Sequence, residues 1–287
     1  MIVGVVADSA SALEPDLAAA NGVVVVPLTL DVAGAESGEG TSPSEKTAAT
    51  VYDGATATSG PSPGSFLTAI EEADRGDGVV VLTVDRRFSS SSDSARVAAA
   101  ATDRRVEVVD TGTAAGGEAL VVLAVARAAR AGLSLDALVE HADYVSGRVR
   151  LVAAVGDLTQ LARSGRLPRP LASLGNAVGV HPVFELARGG TIRLLRPGLS
   201  ERAARDLLLE TWRRSRQPGH RLHVAAMHAG EAGAAAELLD AVAAEVTPAT
   251  SLMAPFGPAM VAHTGPEIRG LAWWWEPIPG GADARQP

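Results

Sequence analysis

The sequence predicts an α/β protein of two domains: residues 1–150 with a mostly parallel sheet flanked by helices, and residues 151–287 with a mixed α/β sheet. Three observations predict it. Short β-branched runs alternate with longer alanine- and leucine-rich periodic runs, which is the pattern of strands alternating with helices. Two long helical runs close the first half, and the alternation restarts at about residue 150. Ser/Thr/Gly clusters fall directly after strand candidates, where open α/β sheets place their ligands.

In the first half, strands are expected over Ile2–Ala7, Val23–Leu30, Gly78–Val84 and Val106–Asp110. Between them, helices are expected near Glu14–Ala20, Pro43–Tyr52, Pro63–Ala73 and Ser91–Ala101. Ser42-Pro43-Ser44-Glu45 carries an N-cap, a proline at the first position and a nearby glutamate, a good helix start. Helices over Ala114–Ala131 and Ser134–Val145 follow. The second half offers a strand at Arg150–Val155 and a hairpin of Val180–Leu186 with Thr191–Leu195 around Gly189-Gly190. Helix Ser200–Arg216, strand Arg221–His228, helix Gly230–Ala244 and strands Thr250–Met253 and Ile268–Trp275 complete it, with a frayed tail from Pro277.

Composition narrows the function. The chain has 287 residues, 47% of them hydrophobic and only 3% aromatic, so a large core must be built from Ala, Val and Leu. A net charge of −8 argues against a nucleic-acid partner held through phosphates. With no cysteine there is no disulfide, thiol catalyst or zinc–thiolate site. The start, Met1-Ile2-Val3-Gly4-Val5-Val6-Ala7-Asp8, reads as a core strand rather than a signal peptide, and no apolar run reaches membrane-span length. A cytoplasmic protein with no stable membrane insertion is expected.

The stretch Thr58-Ser59-Gly60-Pro61-Ser62-Pro63-Gly64-Ser65-Phe66 is the richest in chemistry. Ser62 reads as an N-cap and Pro63 as the first helical residue. Hydroxyls and free N–H groups at a helix start suit an anion. Gly60-Pro61-Ser62-Pro63-Gly64 also matches the G-x-S-x-G nucleophile elbow. That match fails physically. The residue after the nucleophile must give its N–H to the oxyanion hole, and Pro63 has none. Ser62 is therefore a cap, and Thr58 and Ser59 are free for a ligand.

These segments, in their order, resemble the DegV family of fatty-acid-binding proteins. The resemblance rests on Val5-Val6-Ala7-Asp8-Ser9, Val25-Val26-Pro27-Leu28, the Thr58–Phe66 loop, Phe88-Ser89-Ser90 through Ser94-Ala95, Gly165-Arg166, and Gly257-Pro258 with His263-Thr264-Gly265-Pro266. It implies an acyl chain buried between sheet and helices, with no cofactor and no catalysis. It also implies a carboxylate grip by Thr58, one of Ser89 and Ser90, and His263, with Ser59 and Thr264 beside it and Arg166 near the entrance. The partner it implies is a DAK-type fatty acid kinase, which phosphorylates the presented carboxylate. The chain departs from the family pattern at Asp85-Arg86-Arg87, at Ser90 and at Glu267; the arginines and the glutamate could pair or alter the ligand.

Other readings stay open. Thr58 could serve only its turn, Ser89 a helix start, Arg166 a helix end, and His263 the core. A hydrolase or phosphotransferase acting on a small anion, or a carrier of another apolar ligand, is the alternative function. His223 and His228, five apart on a strand, face opposite sides and do not predict a metal. The Gly112–Gly117 turn lacks dinucleotide spacing. Of Trp273-Trp274-Trp275, at least one is expected in the core and one exposed.

Overall fold

A computed structural model describes residues 2–32, 35–38, 56–156, 158–163, 165, 180–187 and 191–278. Its first half contains β1 (Gly4–Asp8), α1 (Pro15–Ala20), β2 (Val23–Val26), β3 (Thr29–Val32), β4 (Ala35–Gly38), β5 (Thr56–Ser59), α2 (Pro63–Ala73), β6 (Val79–Thr83), α3 (Ser91–Ala100), β7 (Val106–Asp110), α4 (Ala115–Arg130) and α5 (Leu135–Ser146). The second half follows with β8 (Arg150–Ala154), α6 (Thr159–Arg163), β9 (Val183–Ala187), β10 (Thr191–Leu194), α7 (Glu201–Arg213), β11 (His220–His228), α8 (Ala232–Ala243), β12 (Thr250–Pro255), α9 (Pro258–Thr264) and β13 (Arg269–Pro277).

β1 and β6 are apolar runs buried along their whole length, the property of central strands in a parallel sheet. They form the middle of a four-stranded sheet in the order β2-β1-β6-β7, parallel throughout. Alternate residues serve opposite faces. Val6, Val79 and Val81 meet Phe66 and Ile70 of α2 and Ala95 of α3. Val5, Ala7, Val80 and Leu82 face α4 and α5. The second sheet runs β10-β9-β8-β13-β11-β12, with β11 and β12 parallel and the other neighbours antiparallel. Its outer face packs Trp273 and Trp275 against Leu208 and Trp212 of α7 and Leu238 of α8.

α4 lies between the two sheets and is buried from Ala115 to Ala126, as a helix apolar on all sides must be. Gly116 allows the contact. A Cβ there would sit 2.9 Å from the Ala225 Cβ and 3.0 Å from the Met227 Cγ on β11. The layers are thus α2/α3, parallel sheet, α4/α5, mixed sheet, α7/α8.

The predicted fold class holds, and most boundaries fall within two residues. Four expectations need correction. Val23–Leu30 is not one strand: β2 joins the parallel sheet and β3 a separate antiparallel sheet, β4-β3-β5. Pro27 cannot donate to a ladder, and the Ser9 hydroxyl takes up the Leu28 N–H at 2.9 Å. Thr58 and Ser59 are not loop residues but end β5, opposite Leu30 and Thr29. His263 and Thr264 form the last turn of α9 rather than a loop after a strand; seven residues are too few to show helical periodicity. All three of Trp273, Trp274 and Trp275 are buried, because both faces of this sheet are covered. The expected helix Pro43–Tyr52, with its start signal, lies outside the described residues, as do Arg166, Gly189 and Gly190.

Candidate functional site

The small antiparallel sheet and α9 close one side of a cavity of about 610 Å³, within the usual range for ligand pockets. Its opposite wall is the inner face of the mixed sheet: Leu151 and Ala153 of β8, Phe184 and Leu186 of β9, and Ile192 of β10. These residues share a face by register, since Leu151 opposes Leu186, Ala153 opposes Phe184, and Leu186 opposes Ile192. Phe256, Met260 and Ile268 add to the apolar lining from the second half, and Leu28, Val84 and Phe88 from the first. Polar groups come from the other side: Thr58, Ser59, Ser89, Ser90, His263 and Thr264 all line the cavity.

The decisive contact spans 205 residues. Thr58 Oγ1 lies 2.6 Å from His263 Nε2, joining the end of β5 to the end of α9. Two residues on, Gly60 brings this strand end against the serines. A Cβ on Gly60 would lie 2.7 Å from Ser90 Oγ and 3.1 Å from Ser89 Oγ, so a larger residue there would press on the serine segment. Ser90 is the exposed N-cap residue of α3 and its hydroxyl makes no capping bond. Ser89 is half-buried; its Oγ accepts the Ser91 N–H at 3.2 Å and lies 2.9 Å from Ser91 Oγ. The single hydrogen of the Thr264 hydroxyl is within reach of the Met260 carbonyl at 3.0 Å and the Gly265 carbonyl at 3.2 Å, so it donates to a ligand only by leaving them. Ser62 stands apart from the cavity. Its Oγ accepts the Ser65 N–H at 3.1 Å, the capping role that the sequence gives it.

Arg86 and Arg87, the departures beside the serines, line the mouth and are exposed. Arg87 Nη1 donates to Thr191 Oγ1 at 2.6 Å, crossing from the first half to β10. Arg86 Nε is 4.0 Å from Asp110. Glu267 instead packs over Gly156, and no described ion pair joins it to either arginine. Behind the serines lie two wholly buried carboxyls, Asp8 and Glu118. Burial raises the Asp8 pKa to about 6, against the partial relief of its hydrogen bonds to the Val84 N–H, Ser91 and the Ala10 N–H. Burial, then the Asp8 charge, pushes Glu118 well above the usual carboxylate range. Both were detectable as lone charges, Asp8 ending an apolar strand and Glu118 interrupting an apolar helix.

Among the described residues no group of three or more His, Asp or Glu could hold a metal. His223 is occupied otherwise, stacked 4.6 Å from Trp274 and bonded to Thr250 and Glu276. No described helix is long and apolar enough to cross a membrane.

The model of the DegV family, described as "Uncharacterised protein, DegV family", matches residues 2–276. The chain belongs to the DegV family. A DegV domain-containing protein of Streptomyces coelicolor is 31% identical over 276 residues, covering 94% of this chain and 97% of that one. A DegV family protein from Thermus thermophilus, whose structure is described as showing fatty acid binding, superposes with a TM-score of 0.87 at 28% identity, over 96% of this chain and 100% of the other. A stearic-acid-binding protein from Eubacterium ventriosum shares the fold at a TM-score of 0.82 and 22% identity, over 96% of this chain and 99% of the other.

Proposed function

We propose that this DegV chain is a non-catalytic, cytoplasmic carrier that buries a long-chain fatty acid in the cavity and presents its carboxylate to a partner fatty acid kinase. The supporting observation is the Thr58–His263 contact of 2.6 Å on the polar side of a cavity whose opposite wall is apolar. Burying about 15 methylenes at roughly 0.8 kcal/mol each gives about 12 kcal/mol before the entropy of association is subtracted. The carboxylate is costly to bury bare and needs donors. Thr58, Ser59, Ser89, Ser90 and His263 supply them in this reading, with Thr264 supporting the helix end. A histidine beside a carboxylate is favoured in its charged form. Ser59 and Ser90 are exposed, so the head-group end adjoins the surface where an enzyme can reach it. The division into domains at about residue 150 puts the head-group hydroxyls in the first and the tail wall in the second.

Fatty acid binding by the Thermus thermophilus relative supports the ligand class. Because Arg86 and Arg87 line the mouth, a carrier of a different anionic amphiphile is the second reading. Native mass spectrometry of gently purified protein separates the two: the carrier of a fatty acid shows an added mass equal to one. Protein that takes up no acyl chain after lipid loading contradicts the proposal. Mixing the loaded protein with a fatty acid kinase and ATP tests presentation, and an acyl phosphate is the expected product.

A further inference from the structure

The mouth of the cavity lies between a rim from each half of the chain. Among the described lining residues, Ser59, Arg86, Arg87, Ser90 and Gly165 are exposed. The rim of the first half is a turn pinned by the buried Asp85. Its N–H donates to the Thr113 carbonyl at 3.0 Å, its Oδ1 accepts the Arg87 N–H at 2.7 Å, and its carbonyl accepts the Phe88 N–H at 2.9 Å. The rim of the second half is β10, an edge strand held opposite β9 from Thr191 to Leu194. Alternation along this strand turns Ile192 into the cavity and leaves Thr191 and Arg193 exposed. Both rims are fixed by backbone hydrogen bonds, whereas a side chain between them is free to rotate.

Arg87 is that side chain. It lines the cavity from the first half, and its Nη1 donates to Thr191 Oγ1 of the second half at 2.6 Å. Its side chain therefore crosses the opening. Asp85 is near enough to attract the Arg87 charge, and no described carboxylate forms an ion pair with the guanidinium. Arg86 lies beside Asp110 instead, its Nε 4.0 Å away. The crossing contact is separate from the one between Thr58 and His263 that defines the head-group site.

We propose that Arg87 is a strap across the mouth: an acyl chain passes in or out when the Arg87–Thr191 bond opens, so this bond sets the rate of exchange and leaves the affinity unchanged. The inference rests on the carrier reading above. A bond made equally by the empty and the loaded protein adds nothing to the difference between them. A bond that must open on the way slows entry and exit by one common factor. When the guanidinium swings out, it exchanges the Thr191 hydroxyl for water. The net worth of such a hydrogen bond corresponds to roughly 2- to 13-fold in rate. Rotation of one side chain opens the strap while both walls stay in place.

Stopped-flow fluorescence of the whole protein with cis-parinarate tests this, with dissociation followed by displacement with excess hexadecanoate. Thr191→Val removes the acceptor and keeps the Arg87 charge. It is expected to raise the association and dissociation rates together, by roughly 2- to 13-fold, with Kd unchanged. Thr191→Ser keeps the hydroxyl and is expected to exchange at the wild-type rates. Arg87→Met removes the donor and is expected to raise the dissociation rate as Thr191→Val does. Wild-type rates in Thr191→Val or a wild-type dissociation rate in Arg87→Met overturn the inference and leave the carrier reading standing. A faster dissociation in Thr191→Val with a weakened Kd makes the contact part of ligand binding and also overturns it. So does a Thr191→Ser protein that exchanges as fast as Thr191→Val, because the effect then belongs to packing of β10. If wild type binds neither cis-parinarate nor hexadecanoate, the carrier reading fails and takes the inference with it.

Discussion

Gly60→Ala is the sharpest perturbation of the head-group site. The added Cβ would stand 2.7 Å from Ser90 Oγ, 3.1 Å from Ser89 Oγ and 3.2 Å from the Ser91 nitrogen. The first of these is about 0.8 Å inside the ~3.5 Å at which non-bonded atoms rest. The Ser90 hydroxyl can rotate away, since it makes no capping bond. The Ser91 nitrogen cannot, because it belongs to the first turn of α3. Relief therefore requires the serine segment and the end of β5 to move apart. Overpacking of this size costs about 1–3 kcal/mol, lowering Tm by roughly 2–6 °C. The separation also pulls Ser89 and Ser90 from Thr58 and His263. Losing one charge-assisted hydrogen bond worth about 1.5–3 kcal/mol weakens carboxylate binding by roughly 10- to 150-fold. Gly64→Ala is the control. Its Cβ would meet only Ser62 Oγ, at 3.7 Å, within α2, where alanine is worth up to about 1 kcal/mol over glycine. Scanning fluorimetry and displacement of a fluorescent fatty acid measure both variants. A Gly60→Ala protein with wild-type Tm and affinity refutes the reasoning.

Three further outcomes follow from the packing and the buried charge. Gly116→Val drives two methyls into Ala225 and Met227 and forces α4 off β11, so a loss of at least about 1–3 kcal/mol is expected in urea unfolding. Leu208→Ala empties a fully buried site on the outer face of the mixed sheet and is expected to cost about 2–5 kcal/mol while fatty acid affinity stays unchanged. Asp8 has a folded pKa raised from 3.8 to about 6, so its contribution to stability is fully present below about pH 4 and is lost as pH rises through 6. Between pH 4 and 7.5 wild type is expected to lose about 2 kcal/mol relative to Asp8→Asn, and parallel stability curves would contradict this.

The fold was legible because its signals are local. β7 at Val106–Asp110 and α2 at Pro63–Ala73 fall on their expected boundaries, one a short β-branched run and the other opened by a capping serine and a proline. What escaped was set by partners distant in sequence. Thr58 and Ser59 look like a turn until β3 pairs with them, and β3 looks like the tail of β2 until Pro27 separates the two. The site was legible in a different way. Thr58, Ser89 and His263 stood out by residue type and by resemblance, but their juxtaposition is a tertiary fact. Asp8, Ser91 and Glu118 carried weaker signals, because a single polar residue in an apolar run does not reveal what it faces. Composition alone gave no sign that the core is shared, whereas α4 binds both sheets into one.

The central claim is that the acyl chain lies across β8, β9 and β10 with its carboxylate at Thr58 and His263. A crystal structure of the protein grown with hexadecanoate tests it most directly. The account predicts density for one chain against Leu151, Phe184 and Ile192, with its carboxylate within hydrogen-bond distance of Thr58 Oγ1 and His263 Nε2. An empty cavity, or a chain whose carboxylate lies at the β10 end away from His263, would contradict it.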